Sequence, residues 1–138
     1  MRLVKYDLEL DEKGLPALKE CRVDEYDKLD IIRSAEQTAI VLKSVYRADK
    51  KAEEHVWLIA FDTINKPIGV FEVSHGTVNR TMTTLREIFI RLLLCGAFKF
   101  VIAHNHPAGD TTPSKEDIAF TRRQFQIFQY LLCRLKEK

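Results

Sequence analysis

Two histidines and an aspartate in the second half of the chain have residue types and spacing suited to metal binding. His104 and His106 end a strongly apolar run, and Asp117 follows after a short polar loop. Residues i and i+2 of a strand point to the same side, so both imidazoles can approach one point. Pro107 cannot continue a central strand, so we expect the second histidine at the sheet end, beside a cleft. Two imidazoles and a carboxylate leave the fourth position of a tetrahedral zinc ion open for water.

The same residues also have a purely structural interpretation. Ser114 and Asp117 have the spacing of a helix capping box, with aspartate in the place of glutamate. Two histidines near a strand end can simply form hydrogen bonds within a loop. A histidine pair alone is therefore weak evidence for a metal, and the added proline and Ser-x-x-Asp strengthen it.

Hydrophobic periodicity predicts the elements that precede these residues. Residues 4–10 alternate loosely in polarity, which favours a short strand, and a polar turn follows at 11–16. From 30 to 46 the apolar positions recur at three- and four-residue steps, which predicts an amphipathic helix. A charged connection over 47–54 leads to a predicted hairpin with arms at 55–61 and 68–73.

The second half of the chain adds two helices and a strand. Thr84 and Glu87 form a capping-box pattern that opens a helix, and Gly96 is a natural stop. Residues 98–103 are almost uninterruptedly apolar, which predicts a central strand covered on both faces. Ser114 opens a last helix that runs toward the C-terminus. This order predicts an α/β (α+β) fold, a mixed β-sheet flanked by helices.

Composition excludes several classes of protein. The chain has 138 residues, 46% hydrophobic and 30% charged, which fits one ordinary globular domain rather than a disordered protein. A net charge of +2 is too small to indicate nucleic-acid binding by itself. Three cysteines without a C-x-x-C pair argue against a disulfide framework and a thiolate zinc site. With neither a signal peptide nor a membrane-spanning run, we expect a cytoplasmic protein without a membrane partner.

The string from 104 to 117, HNHPAGDTTPSKED, resembles the JAMM signature of the JAB/MPN metalloprotease superfamily. Its details resemble the RadC-like branch, as do the strings GTVN at 76–79 and REIF at 86–89. The resemblance covers about residues 30–122. It implies a JAB/MPN, cytidine-deaminase-like sandwich. We therefore expect a single domain over 1–138, with 1–29 as an N-terminal extension and 30–138 as the core.

The resemblance also implies roles for individual residues. It assigns Zn²⁺ to His104, His106 and Asp117. A glutamate on an early strand serves as general base in this superfamily, and Glu54 is the matching residue here. Ser114 matches a serine that helps to stabilise the oxyanion.

Other polar residues near the motif receive structural roles. Glu53 would point away from Glu54 if both are extended, and Glu87 is a rival acid with a capping role of its own. Asn105 points away from the ligands and is expected to fix the loop. His55 and His75 are each interpreted as structural.

One departure from the branch concerns the C-terminus. RadC-like chains normally continue past the last helix into a strand with an Asp-His pair, whereas this sequence stops at Lys138 without one. A shortened sheet would expose an edge that another chain could pair with, so a homodimer is expected. It also leaves open a degenerate site without activity.

Two main functions follow from these expectations. The first is a zinc-dependent hydrolase that cuts a peptide or isopeptide amide. The alternative is a non-catalytic DNA- or protein-binding module associated with DNA repair, in which the metal is structural or vestigial. Nucleic acid is a partner that the resemblance implies and the composition supports weakly.

Overall fold

The structure, a computed structural model, describes residues 1–76 and 84–122. Within them, five strands form one mixed sheet: β1 (Arg2–Leu10), β2 (Pro16–Glu25), β3 (Glu54–Phe61), β4 (Pro67–Gly76) and β5 (Lys99–His104). Their spatial order is β2-β1-β4-β3-β5. β1 and β4 run parallel, and the other neighbouring pairs run antiparallel. The predicted fold class, a mixed sheet with helices on its faces, is confirmed.

Helices cover both faces of this sheet. They are α1 (Ala35–Tyr46), a 3-10 turn (Ala48–Lys50), α2 (Leu85–Cys95) and α3 (residues 115–122). On one face, Val41 of α1 packs with Trp57 and Ile59 of β3. On the other, α2 packs with Leu58, and Phe120 of α3 contacts the same cluster. β3 is therefore buried on both sides, and burial of its side chains is a main source of stability.

None of the helices described in 1–76 and 84–122 is long and apolar enough to cross a membrane. Residues 77–83 and 123–138 lie outside the described residues. These residues include most of the GTVN string, the C-terminal part of the predicted last helix and the end of the chain.

The first helix begins later than the periodicity predicts. It starts at Ala35 rather than at 30, because the Ser34 side chain accepts a hydrogen bond from the Gln37 N–H at 3.2 Å. The Gln37 side chain in turn accepts from the Arg33 N–H at 2.7 Å. This reciprocal capping fixes the first turn, and the preceding apolar residues continue the pattern without being helical.

β5 differs from its prediction as a central strand. In the part of the chain that the structure describes, it lies at the edge of the sheet and is partly exposed. Its residues still contact apolar clusters on both faces, which explains the apolar sequence. Burial on two faces needs helices above and below, not a strand on each side, so the pattern alone could not distinguish the two positions.

β2 was not predicted at all. It pairs with β1 over its whole length, but most of its side chains are exposed. Without a buried face the strand has no strong alternation of polarity for a sequence pattern to detect. The second helix, by contrast, is confirmed: Thr84 and Glu87 form the capping box, and Gly96 ends the helix in the left-handed conformation.

A partly buried charge network joins three strands on the α1 face. Glu72 of β4 accepts hydrogen bonds from Lys5 of β1 at 2.9 Å and from the His55 ring of β3 at 2.6 Å. Burial raises the pKa of Glu72, but the hydrogen bonds and charges of Lys5 and His55 outweigh it, and the net pKa lies below the ordinary value. The network ties the N-terminal hairpin to the strand that begins at Glu54.

Adjacent leucines of α2 provide a test of the packing. Leu92 is 6% exposed and Leu93 is 79% exposed. We expect Leu92→Ala to lower the free energy of unfolding by about 2–4 kcal/mol because it leaves a cavity. Leu93→Ala should change it by less than about 0.5 kcal/mol. Urea unfolding measures both, and equal losses would contradict the described packing of α2.

Glu72 provides a test of pH dependence. Because its folded pKa is lowered, its stabilisation is present above its ordinary pKa and is lost as the pH falls through the folded value. Glu72→Gln should therefore be less stable than wild type by about 1–2 kcal/mol at neutral pH. The difference should shrink as the pH falls to about 3, measured by urea unfolding. Glu20→Gln, at an exposed ion pair with Arg2, should show almost no difference at either pH.

Candidate metal centre

The two histidines stand where β5 ends. His104 is the last residue of the strand and pairs with Val56 of β3. Beyond it, the Asn105 N–H donates to the His55 carbonyl at 3.3 Å, so the chain follows β3 for one residue more. His106 comes next, and the two histidines thus point to the same side of the sheet.

Asp117 comes from the first turn of α3 and meets both imidazoles. The His104 Nε2 lies 2.7 Å from the His106 Nε2 and 3.4 Å from the Asp117 Oδ1. The His106 Nε2 lies 3.8 Å from the Asp117 Oδ2. Ligand atoms of a tetrahedral zinc ion, with bonds of about 2.0–2.1 Å, lie about 3.3 Å apart. The observed separations lie on both sides of that value, so the three side chains fit one ion.

The His106 ring is held in the form that a metal needs. Its Nδ1 lies within hydrogen-bond distance of the Asp110 carbonyl oxygen. A carbonyl can only accept, so Nδ1 carries the hydrogen and Nε2 keeps its lone pair in the neutral ring. The Asp110 side chain accepts from the Thr112 N–H at 2.9 Å, which lowers the pKa of that carboxyl and keeps the loop in place. This backbone contact had no sequence signal.

Asp117 is fixed by the helix that it begins. Its Oδ2 accepts from the Ser114 N–H at 2.8 Å, and its own N–H donates to the Ser114 Oγ at 3.0 Å. Burial raises the pKa of Asp117, but the bonds from Ser114 and the charges of His104 and His106 outweigh it, and the net pKa is lowered. The carboxylate therefore stays charged at neutral pH, with Oδ1 directed at His104.

The three side chains are neither buried nor fully exposed. Their exposed fractions are 28% for His104, 23% for His106 and 25% for Asp117. A closed structural zinc site buries its ion behind four protein ligands, whereas this arrangement offers three and admits solvent. It can therefore hold an ion that also binds an external molecule.

Glu54 lies on the same face of the sheet as the histidines. It is the first residue of β3, two residues before Val56, whose partner is His104. The alternation of β3 thus directs Glu54 toward the side where His104 and His106 project. Glu53 instead pairs with His75 at 3.4 Å.

The other candidate acid is used elsewhere. The Glu87 carboxylate accepts from the Thr84 N–H at 2.7 Å as part of the capping box of α2.

Asn105 fixes the loop, as predicted, through its side chain: Oδ1 accepts from the His55 N–H at 2.7 Å and Nδ2 donates to the Glu53 carbonyl at 3.0 Å. The partners of Asn105 could not be predicted, because both are backbone groups some fifty residues away in sequence.

Comparison with known proteins gives consistent matches. A UPF0758 protein of Desulforudis audaxviator is 34% identical over 107 residues, which is 77% of this chain and 44% of that protein. One of Carboxydothermus hydrogenoformans is 42% identical over 78 residues, 56% of this chain and 34% of that protein. One of Synechocystis sp. is 34% identical over 101 residues, 73% of this chain and 41% of that protein.

This chain thus spans less than half the length of these relatives. A sequence model of the family described as "RadC-like JAB domain" matches residues 32–137, which include the histidine pair and Asp117. The match leaves out β1 and β2. Since it covers most of the sequence, the chain belongs to the RadC-like JAB domain family.

Proposed function

We propose that this domain is a zinc-dependent hydrolase that cuts a peptide or isopeptide amide. The observation that carries the proposal is the meeting of His104, His106 and Asp117 at a strand end. Glu54 on the same face supplies the acid that such a reaction needs.

The donor set supports zinc as the ion. Two imidazole nitrogens and one carboxylate oxygen suit zinc better than magnesium or calcium, which prefer oxygen ligands alone. Bound here, zinc would lower the pKa of a coordinated water toward about 7 and would polarise the substrate carbonyl. His106 is oriented by the Asp110 carbonyl and Asp117 by Ser114, so small side-chain shifts bring them to coordination distance.

Glu54 is assigned as the general base. Its carboxylate takes a proton from the attacking water and later gives it to the leaving amine. Its place at the start of β3 leaves its carboxylate at the margin of the sheet, where a substrate can approach. Its partner residue in β4 is Gly76, which has no side chain to compete for the same space.

Ser114 is assigned as an oxyanion donor. Its Oγ accepts the Asp117 N–H, and this bond leaves the hydroxyl hydrogen free to donate to a developing negative charge. One such donor is worth about 2.7–4 kcal/mol of transition-state stabilisation. The capping and catalytic roles of Ser114 are therefore compatible.

This chain spans less than half the length of these relatives, so the substrate and the partners of the complete protein are proposals. Nucleic-acid binding and homodimer formation stay predictions from the sequence. So does the alternative of a module whose metal is structural or vestigial.

Metal analysis tests the ligand set. Purified wild type should bind about one zinc per chain, and Asp117→Ala should lose it because an anionic ligand and a helix cap are removed together. Glu116→Ala is the matched control: it removes an exposed acidic side chain of the same helical turn and leaves the ligands and the Asp110 carbonyl in place. Equal zinc content in all three proteins would contradict the assigned site.

Hydrolysis tests the base. With a panel of fluorogenic peptide and isopeptide amides, Glu54→Gln should lower kcat by about 10²–10⁴-fold and keep its zinc. Glu53→Gln, which alters the neighbouring acid on the other face, should retain activity. Activity that survives removal of the metal by a chelator would rule out the proposed reaction.

A further inference from the structure

The Asn105 side chain connects the ligand loop to the strand that carries Glu54. Asn105 lies between the two histidines, yet its amide bonds to backbone groups at the start of β3 and just before it. It accepts from the His55 N–H at 2.7 Å and donates to the Glu53 carbonyl at 3.0 Å. These two backbone groups belong to the residues on either side of Glu54.

We propose that Asn105 is a positioning residue that sets the place of the Glu54 carboxylate relative to the metal ligands. This inference rests on the proposed function, in which Glu54 is the base. The regular ladder between β3 and β5 ends at the pair Val56 and His104. Glu54 thus stands beyond the last pair between β3 and β5, and its strand partner is Gly76 of β4. The Asn105 amide extends the connection to Glu53.

His55, whose N–H bonds to Asn105, is itself held in place by its side chain. Its ring nitrogen bonds to Glu72 at 2.6 Å, and its side chain is 13% exposed. The ring also stacks with Trp57 and with His75, at centroid distances of 5.5 and 5.4 Å. Residue 55 is therefore anchored on the α1 face, and Asn105 joins the ligand loop to an anchored point.

Among the described strands, Glu54 pairs with Gly76 of β4 and with no residue of β5. It lies between two residues that are held through their backbones, while its side chain faces the site. A displacement of about 1 Å in a catalytic group can cost about 10²-fold in rate. Loss of the Asn105 amide should therefore affect what Glu54 does more than it affects metal binding.

A proton-releasing ligand tests this without a known substrate. The purified chain is loaded with Co²⁺, and its visible spectrum is titrated with acetohydroxamic acid or with azide. Acetohydroxamic acid binds the metal as its anion, and its hydroxyl proton passes to a neighbouring base, here Glu54. Azide is already an anion and releases no proton.

Asn105→Ala and Glu54→Gln should each weaken acetohydroxamate binding by about tenfold or more, the loss of one charge-assisted hydrogen bond. Azide affinity and Co²⁺ affinity should stay within about threefold, because the ligands remain. The double variant should bind acetohydroxamate no more weakly than Glu54→Gln alone, because Asn105 acts through Glu54. Asn105→Asp keeps the acceptor for the His55 N–H and should fall between wild type and Asn105→Ala.

Lys99 provides a matched control at the opposite end of β5. Its Nζ donates to the Thr63 carbonyl at 3.2 Å and to the Asn65 Oδ1 at 2.8 Å, on the turn after β3. Lys99→Ala removes side-chain hydrogen bonds from β5 to the turn after β3, far from Glu54. It should leave the binding of both probe ligands unchanged.

The outcomes distinguish a failure of the positioning role of Asn105 from a failure of the proposed function. If Glu54→Gln weakens acetohydroxamate and Asn105→Ala does not, the positioning role is overturned and the proposed base stands. If Glu54→Gln has no effect, both are overturned. Additive losses in the double variant, or loss of Co²⁺ from Asn105→Ala, would overturn the positioning role, since Asn105 would then act on the ligands. If Asn105→Ala does not fold, wild-type behaviour of Asn105→Asp would overturn it.

Discussion

The register between β3 and β5 is the constraint on which the site depends. Val56 pairs with His104, and this register directs Glu54 and the histidines to one face of the sheet. A slip by one residue would turn one partner to the opposite face, because side chains alternate along a strand. The register is maintained away from the site, where Trp57 and Leu58 are almost completely buried in opposite clusters. The hydrophobic core, rather than any ligand, therefore determines where the polar groups meet.

The third ligand comes from a helix whose beginning is part of the site. Asp117 and Ser114 form the capping pair of α3, so the bonds that start the helix also orient the carboxylate. A carboxylate in the first turn of a helix is stabilised by about 0.3–1 kcal/mol by the helix dipole. The structural and metal-binding interpretations of Ser-x-x-Asp are thus not alternatives. The same hydrogen bonds serve both.

The N-terminal hairpin lies outside the family match but belongs physically to the sheet. β1 pairs in parallel with β4, and Lys5 reaches Glu72, which also holds His55. His55 precedes Val56 in the strand that carries Glu54. The N-terminal hairpin, which the family match does not include, thus supports the strand beside the site. It does so through the contacts that join Lys5, Glu72 and His55 across three strands.

The sequence predicted features whose signals are local. The capping box at Thr84, the stop at Gly96 and the convergence of His104 with His106 all follow from spacing within a few residues. β2 was not predicted because an exposed strand carries no hydrophobic alternation. The edge position of β5 was not predicted because helices cover both of its faces. The hydrogen bonds of the Asn105 side chain could not be predicted for another reason. They join backbone groups some fifty residues away, and only strand pairing brings them within reach.

The electrostatics of the three ligands explain why such a cluster can fold before it binds an ion. Two ring nitrogens 2.7 Å apart need a shared proton or a cation between them. Asp117 supplies the opposite charge, and the histidines in turn help to lower its pKa. The carboxylate and the two imidazoles thus hold one another in place within the fold.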